Sequence, residues 1–150
     1  MDAEQLGYVG APARINVDFL EHLLSGGYLP VISPVSRDDS GSLGAALNVN
    51  GDDAAAAIAA ALQADELLLV ADVPGVLRDG EVIPNLSCSE ARGLLSDGTA
   101  AGGMRAKLQA ALAGLESGIP RVRISDLQAI GDAGRGTVLH GNGKHDERQS

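Results

Sequence analysis

Apolar positions along this chain recur in two periods, and the alternation between them lays out the expected elements. Val17, Leu20, Leu23 and Leu24 fall on one helical face, so a helix is predicted from Val17 to Leu24. Gly26-Gly27 would end it, because glycine accepts the left-handed conformation of a helix C-cap. Leu29 to Ser33 is a short apolar run containing Pro30, read as a buried strand at its start or at a sheet edge. Arg37 to Gly44 is polar and reads as a turn, with Leu47 to Asn50 as the returning strand. Asp52 or Asp53 is expected to cap a helix running from Ala54 to about Leu62. Leu67 to Ala71 is the most apolar strand, and Asp79-Gly80 between Val76-Leu77 and Val82-Ile83 is a hairpin signal. Ser87 or Ser89 precedes a helix through Leu95, closed by Asp97-Gly98. Gly102-Gly103 opens a long helix from Met104 to about Glu116, ended by Ser117-Gly118-Ile119-Pro120. Strands follow at Val122 to Ser125 and Gly136 to Leu139, and the polar stretch from Gly141 to Ser150 reads as a disordered tail. Strands alternating with helices predict an α/β fold layered around a mostly parallel sheet.

Composition changes this picture in one respect. The chain has 150 residues, enough for one domain with a real core, yet only one Phe, two Tyr and no Trp. Its apolar residues are mostly Ala, Leu and Val, so helices must lie close against the sheet. The net charge of −9 argues against nucleic acid or an anionic membrane surface as the main partner. It leaves room for a local basic pocket for phosphate. Cys88 is the single cysteine, which excludes an internal disulfide framework and a Cys-pair metal site. The acidic start, Met1-Asp2-Ala3-Glu4-Gln5, lacks the regions of a signal peptide. The apolar run from Ala54 to Leu62 is far short of the ~20 residues that a membrane span needs. These features together read as a cytoplasmic protein.

Three places carry candidate chemistry. Asn48, Asn50 and Asp52 alternate along a strand and end at a helix mouth, although Asn is a poor strand former. They read either as a turn entering a helix cap or as a donor and acceptor cluster facing a substrate and a lysine. Lys107, with Arg105 near it, lies at the start of the helix after Gly102-Gly103. Cations are disfavoured at that end by ~0.3–1 kcal/mol, unless an anion binds the free N–H groups there. The alternative is two solvated basic side chains. Asp72-Val73-Pro74-Gly75 follows the most apolar strand, where an aspartate can accept hydrogen bonds from a ligand or cap its own loop. No GxxxxGK[ST], no Rossmann fingerprint in its strand–helix setting, no GxSxG and no HExxH is present.

Taken in order, these pieces resemble one family. The series is Leu6-Gly7-Tyr8-Val9-Gly10, Gly27-Tyr28-Leu29-Pro30-Val31-Ile32-Ser33-Pro34, Asn48-Val49-Asn50-Gly51-Asp52 and Ala71-Asp72-Val73-Pro74-Gly75-Val76-Leu77. Asp97-Gly98, Gly102-Gly103-Met104-Arg105-Ala106-Lys107 and Gly136-Thr137-Val138-Leu139 complete it. Over about residues 6 to 139 that order is similar to acetylglutamate kinase, of the amino acid kinase superfamily. The resemblance implies a three-layer αβα fold with a mostly parallel sheet. Residues 1–140 would form the carboxyl-terminal, ATP-binding half and residues 141–150 the tail. It further implies phosphoryl transfer from ATP to the side-chain carboxylate of N-acetyl-L-glutamate, in arginine biosynthesis. By matching position, Lys107 and Asp52 would be catalytic, Lys107 neutralising the migrating phosphoryl group and Asp52 organising lysine. Asn48 and Asn50 would contact the acyl amino acid. Asp72, Val73 and Gly75, with Gly102, Gly103, Met104 and Lys107, would contact the nucleotide. Mg²⁺ would be held through nucleotide phosphates, with no metal site of the chain's own.

The family's amino-terminal half, with a first lysine, glycine-rich loops and an arginine for the substrate carboxylate, has no counterpart in these residues. The resemblance therefore implies a chain with weak or no turnover by itself, which pairs with that half or forms a homo-oligomer. A kinase for carrier-protein-linked aminoadipate or glutamate and a non-catalytic nucleotide-binding or regulatory remnant are the other readings.

Overall fold

The structure is a computed structural model and describes residues 9–38 and 46–140. The expected tail at 141–150, most of the turn expected at 37–44, and residues 6–8 lie outside the described residues. A four-stranded sheet organises the molecule, in the order β3 (Leu67–Val70), β7 (Arg121–Ser125), β8 (Thr137–His140), β6 (Asn85–Ser87). The β3–β7 and β6–β8 pairs are parallel and β7–β8 is antiparallel, so the sheet is mostly parallel, as expected. Two small antiparallel ribbons stand beside it: β1 (Val35–Arg37) with β2 (Ala46–Asn48), and β4 (Leu77–Arg78) with β5 (Glu81–Val82). The second turns at Asp79-Gly80, both at positive φ, which is the hairpin the sequence signalled.

The core forms where α2 (Gly51–Ala61), α3 (Cys88–Ser96) and α4 (Gly102–Glu116) pack on the sheet. Alternation along β7 decides which side they take. Val122 and Ile124 join Leu108, Ala111 and Leu115 of α4 in the apolar cluster, while Arg123 and Ser125 point to the other face. Ala56 and Ala59 of α2 and Ala110 and Ala111 of α4 are buried, so small side chains let these two helices approach closely. Burying a residue such as Leu108, fully inaccessible here, contributes about 1.5–3 kcal/mol.

On the opposite face a buried arginine takes the place of an apolar layer. Arg123 donates from Nε and Nη2 to Glu66 Oε1 at 3.0 and 2.8 Å. Its Nη1 reaches the carbonyls of Ala129, Asp132 and Arg135. Glu66 also lies 3.0 Å from Arg121 Nε, an ion contact without hydrogen-bond alignment. One guanidinium thereby staples the loop between β7 and β8, which includes a 3-10 turn at Leu127–Ile130. Gly136 ends that loop at φ +102°, where a Cβ would come within 2.6 Å of the Ile124 carbonyl.

The amino-terminal part departs from the sequence expectation. Helix α1 (Val17–Ser25) forms where predicted, capped by Asn16 and closed by Gly26 with Gly27 at φ +79°. The buried strand expected at Leu29–Ser33 is absent: this segment pairs with no strand among the described residues. Leu29 is 86% exposed and Val31 93%. Its apolar pattern is that of a strand, but no neighbouring strand among the described residues lies beside it. Among those residues, no helix is long and apolar enough to cross a membrane.

Candidate active site

Asn50, and not Asp52 or Asp53, caps α2. It has extended backbone angles, and its Oδ1 accepts from the N–H of Asp52 at 2.9 Å and of Asp53 at 3.2 Å. The helix starts at Gly51, three residues earlier than the apolar pattern suggested, because the cap is set by Asn50 and not by the first alanine. This releases both aspartates from capping and leaves them in the first turn, where the helix dipole favours negative charge. The Asp52 carboxylate is thus available to another element.

That element is α4. Lys107 Nζ donates to Asp52 Oδ1 at 3.0 Å and to Oδ2 at 3.2 Å. Both side chains are mostly covered, 19% and 22% exposed. The packing of α2 on α4 brings together the two residues that sequence reading had marked at separate motifs.

Lys107 also lines a cavity of about 430 Å³, with Asp72 and Val73, Gly103 and Met104, and Val70, Ala71 and Ala101. The wall from β3 is fixed by three hydrogen bonds. Ala71 N–H donates to the Ser125 carbonyl, Ser125 Oγ to the Pro74 carbonyl, and Val76 N–H to Thr137 Oγ1. The wall from α4 is the open start of the helix. Ala101 offers no side-chain cap, so the first N–H groups of α4 have no partner in their own helix. Gly102, at φ +52°, takes a conformation that suits glycine, and a Cβ there or at Gly103 would meet nothing within 4 Å.

Five sequence candidates therefore line one cavity: Asp72, Val73, Gly103, Met104 and Lys107. Asp52 stands behind Lys107. Gly75 is buried beneath the turn, where a Cβ would come within 2.8 Å of Thr137 Oγ1 and Val82 Cγ1, so it shapes the turn from inside. Gly102 precedes the lining residues of α4. Asn48 ends β2, where its carbonyl accepts from Gly10 N–H at 2.9 Å. The cap takes the Asn50 oxygen, and its amide nitrogen makes no hydrogen bond among the described residues. Arg105 turns away from the cavity, and its Nη1 donates to the Leu95 carbonyl at 3.0 Å, near the end of α3. Sequence reading missed Val70, Ala71 and Ala101. Their signal was position: two end the most apolar strand, and one precedes the glycine pair.

The arrangement offers a half-buried cation, unpaired helix N–H groups and small apolar walls at the carboxyl end of a parallel strand. It can hold a flat apolar group against Val70, Val73 and Met104, with an anion toward α4 and Lys107.

Comparison with known proteins agrees with this geometry. The Amino acid kinase family matches residues 1–126. The acetylglutamate kinase of Roseiflexus castenholzii is 42% identical over 142 residues, covering 95% of this chain and 52% of that protein. The chain spans about half the length of the curated relatives it matches. Among solved structures, smu.665 from Streptococcus mutans superposes with a TM-score of 0.80 at 28% identity, over 95% of this chain and 55% of that one. N-acetylglutamate synthase from Neisseria gonorrhoeae, complexed with coenzyme A and L-arginine, gives 0.78 at 29%, over 89% and 32%. By its three-layer αβα fold and by the match over residues 1–126, the chain belongs to the amino acid kinase family.

Proposed function

We propose that this chain is the nucleotide-binding half of a phosphotransferase that moves the γ-phosphoryl group of ATP to the side-chain carboxylate of N-acetyl-L-glutamate. A carboxylate oxygen attacks the γ-phosphorus, the bond to the ADP oxygen breaks, and an acyl phosphate and ADP result. The observation that carries the reading is the Asp52–Lys107 pair at the edge of the cavity between the Asp72 turn and the start of α4. Phosphoryl transfer asks mainly for positioning and for positive charge near the migrating group. Lys107 would supply that charge, and Asp52 would hold the ammonium in place. Asp72, Val73 and Gly75, with Gly102, Gly103 and Met104, would contact the nucleotide. Asn48, with the free amide of Asn50, would meet the acyl amino acid. Mg²⁺ would arrive with the nucleotide and stay bound to its phosphates. Naming acetylglutamate as the acceptor rests on the acetylglutamate kinase relatives at about 42% identity.

Calorimetric titration with Mg·ADP tests the reading on the full chain beside Lys107→Ala and Asp72→Ala. We expect binding, weakened about tenfold or more by either substitution. A folded chain that takes up no Mg·ADP, or that binds it equally well in all three forms, overturns the assignment.

A further inference from the structure

Arg105 is a cation in the first turn of α4, where the helix dipole disfavours positive charge, and it does not line the cavity. At 3.6 residues per turn it lies about 200° round the helix from Lys107. Its guanidinium crosses to α3 instead, where Nη1 donates to the Leu95 carbonyl at 3.0 Å. The last carbonyls of α3 show what this contact completes. The Gly93 carbonyl accepts from Asp97 N–H and Ser96 Oγ, and the Leu94 carbonyl from Ala100 N–H. The Leu95 carbonyl is met from another element, the first turn of α4. There the guanidinium sits at the negative end of the α3 dipole, where a cation is favoured.

The chain between the two helices leads straight into the cavity wall. Asp97 Oδ1 accepts from Thr99 N–H at 2.8 Å, Gly98 turns at φ +81°, and Ala100 is buried in the core. Ala101 then offers no side-chain cap, and a Cβ at Gly102 or Gly103 would meet nothing within 4 Å. The glycine pair is thus held from its two ends. On one side is Ala100; on the other is the first turn of α4, where Met104 packs against the apolar cluster and Arg105 is tied to α3.

We infer that Arg105 is a positioning residue for the cavity: by clamping the end of α3 to the first turn of α4, it holds residues 101–104 and their unpaired N–H groups where the phosphates of a nucleotide would lie. The inference rests on the proposed reading of the cavity, and it adds a residue that acts without touching the ligand.

The test compares the full chain with Arg105→Met, Arg105→Lys and Arg92→Met. Arg92 makes an exposed ion pair with Glu116, a second tie between α3 and α4 that lies away from the cavity wall, so its variant is the control. In the ligand-free chain, Arg105→Met should speed exchange of the Ala100 amide about fivefold and leave the β7 amides unchanged. In titrations it should lower the ratio of Mg·ADP to adenosine affinity about fivefold, because adenosine has no phosphate for the helix start to meet. The loss should persist in high salt. Arg105→Lys, which keeps a donor of nearly the same reach, should recover most of it, and Arg92→Met should show none of it. An Ala100 amide unaffected by Arg105→Met overturns the inference. So does an equal loss for adenosine, a loss that high salt removes, or a loss matched by Arg92→Met. A parent chain that takes up no Mg·ADP ends the functional reading instead, and the clamp is then decided by Ala100 exchange alone.

Discussion

Asp52 and Lys107 are 55 positions apart and meet only because α2 lies on α4. Their ion pair is mostly covered, so neither partner is dispensable in the way a surface pair would be. Removing the carboxylate leaves an ammonium in a half-dry site. Removing the ammonium in favour of an apolar chain of similar length leaves a carboxylate near the start of α2, where the helix dipole still favours it. Asp52→Ala is therefore expected to cost about 1–2 kcal/mol in urea denaturation, and Lys107→Met less than that. Equal losses for the two variants would refute this asymmetry. A second residue-scale prediction concerns acid. Hydrogen bonds from the Arg135 guanidinium hold the Asp126 carboxyl below the usual carboxylate range. A depressed folded value gives stability that is present above the ordinary carboxyl pKa of about 3.9 and lost as pH falls through the folded value. The loop between β7 and β8 should accordingly loosen only below about pH 4. In Arg135→Gln the Asp126 carboxyl should titrate closer to its ordinary value, read by carboxyl-carbon NMR. An unchanged titration would mean that another group depresses it. The motifs made Lys107 and Asp52 legible as candidates, but nothing local revealed that Asn50 takes the cap or that Arg105 turns to α3. Both depend on where neighbouring elements end.

Helix α3 shows how an element follows from a few residues. Ser87 accepts from Glu90 N–H at 3.2 Å, and Glu90 Oε2 accepts from Ser87 N–H at 2.9 Å, a reciprocal capping box. The same contacts hold the Glu90 carboxyl below its ordinary range, the side-chain hydrogen bond from Ser87 contributing most. Ser87→Ala is expected to cost about 1 kcal/mol in thermal or urea unfolding and to let Glu90 titrate higher. If neither changes, the box does not set the start of α3. Ser87 is also the last residue of β6, so a loosened cap would be felt where β6 pairs with β8. This helix was readable because its start signal is local. The strands β3, β7 and β8 were readable because their apolar runs are buried in this chain. Leu29–Ser33 was misread as buried for the complementary reason: burial is not a property of a run but of what lies beside it. The staple made by Arg123 was equally hidden, since an arginine in a strand gives no sign of the three carbonyls that will converge on it.

At the scale of the whole molecule, the apolar cluster draws, among the described residues, only on those from Ala55 onward. Leu20 is buried on α1 but lies outside that cluster, and β1 and β2 pair with each other and with no strand of the main sheet. Stability must then be uneven along the chain. Amides of α4 and β7 are enclosed by the cluster and should exchange only through global unfolding, whereas those of α1 can open by releasing little apolar surface. We expect α1 amides to exchange at least about tenfold faster than those of β7, and a brief protease digest to cut first between Tyr28 and Pro34. Saturating Mg·ADP should sharpen the contrast. A ligand at about 100 times its dissociation constant adds about 2.7 kcal/mol to whatever unfolding it opposes, and the cavity belongs to β3, its following turn and α4. Exchange in α4 and β7 should slow while exchange in α1 stays where it was. Equal slowing in α1 would mean that the amino-terminal segment and the cavity form one cooperative unit. The cut between Tyr28 and Pro34 should then disappear along with fast exchange, and the exposed face of this segment would be coupled to the nucleotide site.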